Sequence, residues 1–221
     1  MGTVTIAATY GCAGSVIGPA VAERLGLPFV DRAIPASLAE KISGPLAAAL
    51  ADDTESRTAL GRLLNSTLGY SGLFVGVPMA EVERGIVLDV AHTEAALRRA
   101  ADAGGAVILG RAGVFVLKDR PDCFHVRLDA TVEARRRAAM THELLSYKNA
   151  AIKQQETDRA RRAYIAHFHP RAGAWEDPRH YHMVLDSTAI PIDTCVEIIT
   201  RAAQDVFAKL AASKRRREVG S

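Results

Sequence analysis

Thr3-Val4-Thr5-Ile6-Ala7-Ala8-Thr9-Tyr10-Gly11-Cys12-Ala13-Gly14-Ser15-Val16-Ile17-Gly18 is the stretch that decides the fold. Residues 3–8 read as a short buried strand, because they are apolar or β-branched and carry no charge. Thr9 to Ser15 form a turn of small residues. Val16, Ile17, Ala20, Val21 and Leu25 then recur at helical spacing. Strand, small-residue turn and helix are the layout of a phosphate-binding loop. The turn offers backbone N–H groups, and the helix start adds roughly half a positive charge. Small residues let the main chain approach an anion closely. One element of the usual pattern is absent: Gly14 stands where a lysine is expected, with Ser15 at the Ser/Thr position. The alternative is a tight turn with no ligand. A dinucleotide-binding reading fits less well, because the glycines lack G-x-G-x-x-G spacing.

Outward from this loop, four more segments read as strands: 27–31, 106–109, 123–128 and 183–186. Helical patterns lie at about 15–25, 33–43, 80–103, 131–145, 148–167 and 192–212, with some helix near 56–68. Alternating strands and helices predict a parallel sheet covered on both faces. Because 3–8 and 106–109 are apolar without alternation, they are expected to be adjacent and central. Residues 44–79, rich in Gly, Ser and Thr, read as an insertion. Residues 146–181 carry an arginine cluster and a Pro/Gly-bounded loop with no strand, and are expected to form a lid. The basic run 214–221 is expected to be a disordered, solvated tail.

The bulk numbers bound the function. The chain has 221 residues, 48% hydrophobic and 24% charged, which suits one globular domain or one domain with an insertion. A net charge of +3 is too small to argue for nucleic acid. No run approaches the ~20 apolar residues of a membrane span, and no signal peptide is expected. Cys12, Cys123 and Cys195 are odd in number and far apart, which predicts a reducing, cytoplasmic setting and no disulfide framework. The spaced pairs His167/His169 and His180/His182 are interrupted by Pro170 and Pro178, so a metal site is not expected there. Cys12 sits in a helix-N-terminal turn, where a thiolate is favoured, but it reads better as a small filler.

The residues that could carry chemistry are arginines. Arg111 follows Leu109-Gly110 at the carboxyl end of a strand, where ligands of open α/β sheets sit. A guanidinium there suits bidentate phosphate capture, or else an ion pair. Asp158, Arg159, Arg161 and Arg162 cluster on one helix, with Arg135, Arg136 and Arg137 on the preceding one. Such clusters suit a clamp for a phosphoryl group in flight, or else solvated faces laced with ion pairs.

These pieces together resemble the cytidylate kinase-like family, a branch of the nucleoside monophosphate kinases. The resemblance runs over about 3–212. It rests on Tyr10-Gly11-Cys12-Ala13-Gly14-Ser15-Val16-Ile17-Gly18, on 25–31, on Ile108-Leu109-Gly110-Arg111-Ala112, on Lys118-Asp119-Arg120-Pro121 and on Leu128-Asp129-Ala130. Asp158-Arg159-Ala160-Arg161 with Tyr164, then Trp175-Glu176-Asp177-Pro178, Tyr181 and Leu185-Asp186-Ser187-Thr188, complete it. That branch also has glycine in place of the loop lysine. The resemblance implies a P-loop NTPase-type three-layer α/β fold over 1–213, with about five parallel strands and a helical lid at 146–181. It implies phosphoryl transfer from ATP–Mg²⁺ to a nucleoside monophosphate or a similar phosphorylated small molecule. Gly11, Cys12, Ala13, Gly14, Ser15 and Val16 would hold the donor phosphates, with Ser15 near Mg²⁺. Asp31, Arg111 and Asp158 would bind the acceptor, which would fall near 44–79. Arg111, Arg161 and Arg135 would stabilise the transfer. Ala112 stands where cytidylate kinases have Asp, and Ala13 where glycine is usual. These departures favour a second reading, a nucleotide-binding sensor or interaction protein without kinase activity. No membrane and no nucleic-acid partner is expected, and a homodimer is left open. If the loop has room, Gly14→Lys is expected to strengthen the site.

Overall fold

The computed structural model describes residues 2–31, 79–110 and 112–219. The insertion expected over 44–79, as far as residue 78, lies outside them, as do the helices expected at 33–43 and 56–68, and Arg111. The described elements are β1 (Thr3–Ala8), α1 (Gly14–Leu25), β2 (Phe29–Asp31), α2 (Met79–Asp102), β3 (Val107–Leu109), α3 (Gly113–Val116), β4 (Cys123–Asp129), α4 (Val132–Glu143), α5 (Tyr147–Phe168), β5 (Met183–Asp186) and α6 (Ile192–Val219). A 3₁₀ turn at Pro178–His180 precedes β5.

The strands form one five-stranded sheet in the order β2-β3-β1-β4-β5. Every pairing is parallel. β1 is the centre, with Ile6 opposite Leu109 on one side and Val126 on the other. The expectation that 3–8 and 106–109 are neighbours inside the sheet therefore holds. The strand order breaks direction at β1, and the turn that follows β1 opens at the carboxyl edge where ligands of such sheets bind.

The two faces of the sheet differ in chemistry, and β4 shows why. Phe124, Val126 and Leu128 alternate with Cys123, His125 and Arg127 along the strand. The first set joins Val4, Ile6, Val107 and Leu109 beneath α1 and α6, in a core closed by Ile17, Val21, Val196 and Ile199. The second set shares its face with Thr3 and Thr5, and all of these side chains are buried. Leu97 and Ala101 of α2 cover one part of that face. Val114, Phe115, Tyr164, Ile165, Trp175 and Tyr181 pack together over another, against Ala7. Helix, sheet and helix make the three layers of an α/β sandwich.

Two expectations change here. First, α6 continues past residue 212 to Val219, so the backbone of residues 214–219 is helical where the sequence reading leaves it without structure. Lys and Arg are good helix formers, and cations are favoured at a helix C-terminus. Second, no strand holds 146–181, as expected, but its second half is core. Trp175 is 1% exposed, Ile165 1% and Tyr164 4%. Large buried side chains, rather than a strand, anchor that half to the sheet.

Candidate phosphate site at the β1–α1 turn

The turn leaves β1 at Ala8 and reverses through Gly11 and Ala13, which have φ of 87° and 50°. The Ala13 conformation is left-handed, costing an L residue roughly 1 kcal/mol. Placed directly before the right-handed start of α1, it turns successive N–H groups toward one side, which makes an anion-binding concavity. α4 and α5 are capped by the hydroxyls of Thr131 and Ser146, which accept from Ala134 N and Asn149 N. α1 has no side-chain cap and no acidic residue in its first turn. Val16 N and Ile17 N bond back to Ala13 O at 2.9 and 3.0 Å, and Cys12 N to Thr9 O at 3.2 Å. The amides of Gly11, Ala13, Gly14 and Ser15 have no hydrogen-bond acceptor among the described residues. Ser15 is exposed, as is Val16, and Gly14 is buried.

The rest of the turn is held from behind. Asp158 of α5 accepts Tyr10 N at 3.3 Å. Arg135 of α4 donates from Nη1 to Tyr10 O at 3.2 Å and to Asp158 Oδ2 at 2.6 Å. Its Nε donates to Ala130 O at 3.2 Å. Arg161 Nη1 donates to Ala8 O at 2.6 Å and stands 3.6 Å from Asp158 Oδ1. From the far side, Ser187 Oγ donates to Cys12 O at 2.9 Å. The Cys12 thiol is buried against Thr9 Oγ1 at 3.0 Å, and burial pushes its pKa up. Cys12 is therefore a filler of the turn and no thiolate. Burial, with Glu143 nearby, likewise raises the Tyr10 phenol.

Of the residues expected at the site, the structure brings together 11–16, Arg135, Asp158 and Arg161. Arg135 is 6% exposed, with all its described contacts made to protein groups. Asp158, 8% exposed, joins both arginines to the loop. Asp31 ends β2 at the same carboxyl edge of the sheet. Two other arginines of the clusters take the ion-pair role: Arg137 meets Glu133 at 2.9 Å, and Arg162 meets Glu176 at 3.5 Å. Arg136 donates to Tyr147 Oη at 2.6 Å and Gln154 Oε1 at 3.2 Å.

The expected rescue by Gly14→Lys is not supported. A Cβ at Gly14 would stand 2.6 Å from Ala8 Cβ and 3.1 Å from Leu109 Cδ1. Position 14 faces the sheet, so the absence of lysine is built into the packing of α1 on β1 and β3.

Asp129 and Thr9 are additions that sequence reasoning did not single out as site residues. Thr9 Oγ1 donates to Asp129 Oδ1 at 2.9 Å, one residue beyond the β1–β4 ladder. Burial alone would raise the Asp129 carboxyl. The Arg127 guanidinium, with the Ala130 amide and the Thr9 hydroxyl, instead holds it below the usual carboxylate range. In the sequence Asp129 ends a strand within the Leu128-Asp129-Ala130 stretch of the resemblance, and Thr9 opens the turn.

Four of the histidines make ring contacts. His182 stacks on His125, with centroids 5.1 Å apart, and His169 and His180 lie against Phe115 at 5.6 and 5.1 Å. Among the described residues no group of three His, Cys, Asp or Glu is placed to hold a metal ion, and no helix is long and apolar enough to cross a membrane.

The model of the cytidylate kinase-like family matches residues 3–189. An uncharacterized protein from Eubacterium ventriosum shares the fold, with a TM-score of 0.59 and 16% identity over 92% of this chain and 99% of that one. Weaker likenesses are a gluconokinase from Sinorhizobium meliloti (TM-score 0.47, 14% identity, 98% and 97% covered) and a shikimate kinase from Bacteroides thetaiotaomicron (0.41, 12%, 91% and 98%). No curated protein matches the chain.

Proposed function

Because the chain belongs to the cytidylate kinase-like family, we propose that it transfers a phosphoryl group from ATP–Mg²⁺ to a nucleoside monophosphate, CMP-like, or to a similar small phosphorylated acceptor. The observation that carries this reading is the set of uncommitted amides at Gly11, Ala13, Gly14 and Ser15, at the start of a helix without a side-chain cap. Such amides are suited to a polyphosphate. The exposed Ser15 hydroxyl, which has no hydrogen-bond partner among the described residues, is the group that would meet Mg²⁺. When bound, the ion would neutralise charge between the donor phosphates.

Catalysis of this class is positioning and charge stabilisation, with no protein nucleophile. Arg135 and Asp158 hold the loop in shape. Arg161 is the lid arginine assigned to the transferring phosphate, and Arg111 and Asp31 are assigned to the acceptor. The moving part of the lid is the tip between α4 and α5, since Arg135, Asp158 and Arg161 are tied to the loop and the segment beyond them is core. ATP-dependent chemistry of this kind belongs in the cytoplasm.

The second reading, a nucleotide-binding sensor, is favoured by Gly14 and Ala112. The test is ADP release from ATP–Mg²⁺ with a panel of nucleoside and sugar monophosphates. Turnover with at least one acceptor, lowered by Arg161→Ala and with a raised acceptor KM for Arg111→Ala, is expected. ATP binding without ADP release in any of them selects the sensor. No ATP binding at all defeats both.

A further inference from the structure

Arg127 is an arginine in the middle of a central strand, 2% exposed. Burying a guanidinium costs several kcal/mol unless its partners are well placed, and an apolar side chain would serve stability as well. Its surroundings point to another use. Nε and Nη2 both donate to Asp129 Oδ2, at 3.1 and 2.8 Å. Nη1 donates to Trp175 O at 3.2 Å, and the guanidinium lies over the Trp175 ring, 4.4 Å from its centroid. Tyr181 Oη fixes the same Trp175 carbonyl at 2.7 Å. The guanidinium therefore has one orientation, and it claims one oxygen of Asp129.

The other oxygen, Oδ1, takes the Thr9 hydroxyl at 2.9 Å and the Ala130 amide at 3.0 Å, with Arg135 Nε 3.9 Å away. Thr9 is the first residue of the turn, and its carbonyl takes Cys12 N, closing the turn on itself. A rotation of Asp129 would be passed to Thr9 and from there to the amides that follow.

We infer that Arg127 is a positioning residue for the β1–α1 loop: it acts through Asp129 on Thr9 and so sets the orientation of the Gly11–Ser15 amides without touching a ligand. This rests on the phosphoryl-transfer reading for what the loop binds, and on the geometry alone for what Arg127 does to the loop.

Two measurements on the full chain separate the two. The first is the set of amide resonances of Gly11, Ala13, Gly14 and Ser15 in the ligand-free protein. The second is calorimetric affinity for ATP–Mg²⁺ and for inorganic pyrophosphate. Thr9→Val, Arg127→Lys and the double variant form a cycle. Thr9→Val cuts the link at the loop end and leaves the buried pair intact. Should Arg127→Lys not fold, Trp175→Phe takes its place, because it loosens the guanidinium while keeping its charge. Each single variant is expected to shift the four loop amides and to weaken binding of both probes by about threefold to a hundredfold, the range of coupling within one network. The double variant should lose no more than the worse single. Unchanged loop amides in folded Thr9→Val, or additive losses in the double variant, overturn the inference. Wild-type protein that binds neither probe defeats the phosphoryl-transfer reading, and the amide shifts still decide the role of Arg127.

Discussion

The backbone of Gly11 lies directly against the carbonyl of Arg135, so that a Cβ at position 11 would stand 2.1 Å from that oxygen. The loop and helix α4 are thus in main-chain contact, and neither can yield as a side chain would. Gly11 also has a φ of 87°, which L residues avoid. Gly11→Ala combines strain with a clash against backbone. It should lower stability by at least about 2 kcal/mol, or push the loop off α4 and weaken binding of ATP. Thermal unfolding and calorimetric titration read the two outcomes, and a variant unchanged in both contradicts the close contact.

Gly14→Lys should not restore a phosphate-binding lysine. The new Cβ meets Ala8 Cβ and Leu109 Cδ1 at 2.6 and 3.1 Å, which overpacks the α1–sheet contact. Overpacking of this kind costs about 1–3 kcal/mol. A lower melting temperature with no gain in ATP affinity is expected. A gain of tenfold or more would show that α1 can shift to admit the side chain.

The fold was legible because β1, β3 and β4 carry strong apolar signals, and because strand, small turn and helix at 3–25 leave few topologies. The loop was legible for the same reason. What escaped the sequence was the use of the arginines. Six arginines in two clusters look alike as charges, yet Arg135 and Arg161 turn to the loop while Arg136, Arg137 and Arg162 meet Tyr147, Glu133 and Glu176. That division depends on how α4 and α5 pack, which periodicity does not carry. Arg127 was hidden for a similar reason: in sequence it is one charge in a strand with Asp129 two residues on, and the Trp175 carbonyl and ring that fix it come from far along the chain. The helix at the basic C-terminus was missed because a charge run says nothing about backbone continuity from α6.

Asp158→Asn should be among the more damaging single changes in α5. The carboxylate carries the Arg135 contact at 2.6 Å and the Tyr10 amide at 3.3 Å, both buried. Removing one partner of a buried ion pair leaves an uncompensated charge and costs about 3–5 kcal/mol. Urea unfolding should show a loss of that order, with loop function lost in parallel. Arg161→Ala should behave differently. Its contact is with the Ala8 carbonyl and the edge of Asp158, so stability should fall by less than for Asp158→Asn while turnover drops about 10²–10³-fold. Equal stability losses in the two variants would place Arg161 among the loop's structural supports.

His125 should make the fold sensitive to mild acid. Its ring is buried between Thr5, whose Oγ1 lies 2.7 Å from Nδ1, and the stacked ring of His182. Burial, then the repulsion of His182, lowers its pKa from 6.5 to about 4. The unfolded chain therefore takes up a proton at this side chain below about pH 6.5, whereas the folded chain resists until about pH 4. With the unfolded state binding more protons in that window, stability falls as pH falls. The contribution of His125 is a loss of about 2 kcal/mol between about pH 7.5 and pH 5, present at neutral pH and gone by about pH 4. His125→Gln removes the titration while keeping a polar partner for Thr5. Its melting temperature should start lower at neutral pH, because a packed ring is lost, and then fall less steeply toward pH 5 than that of the wild type. Parallel pH profiles for the two proteins would assign the acid sensitivity to another group.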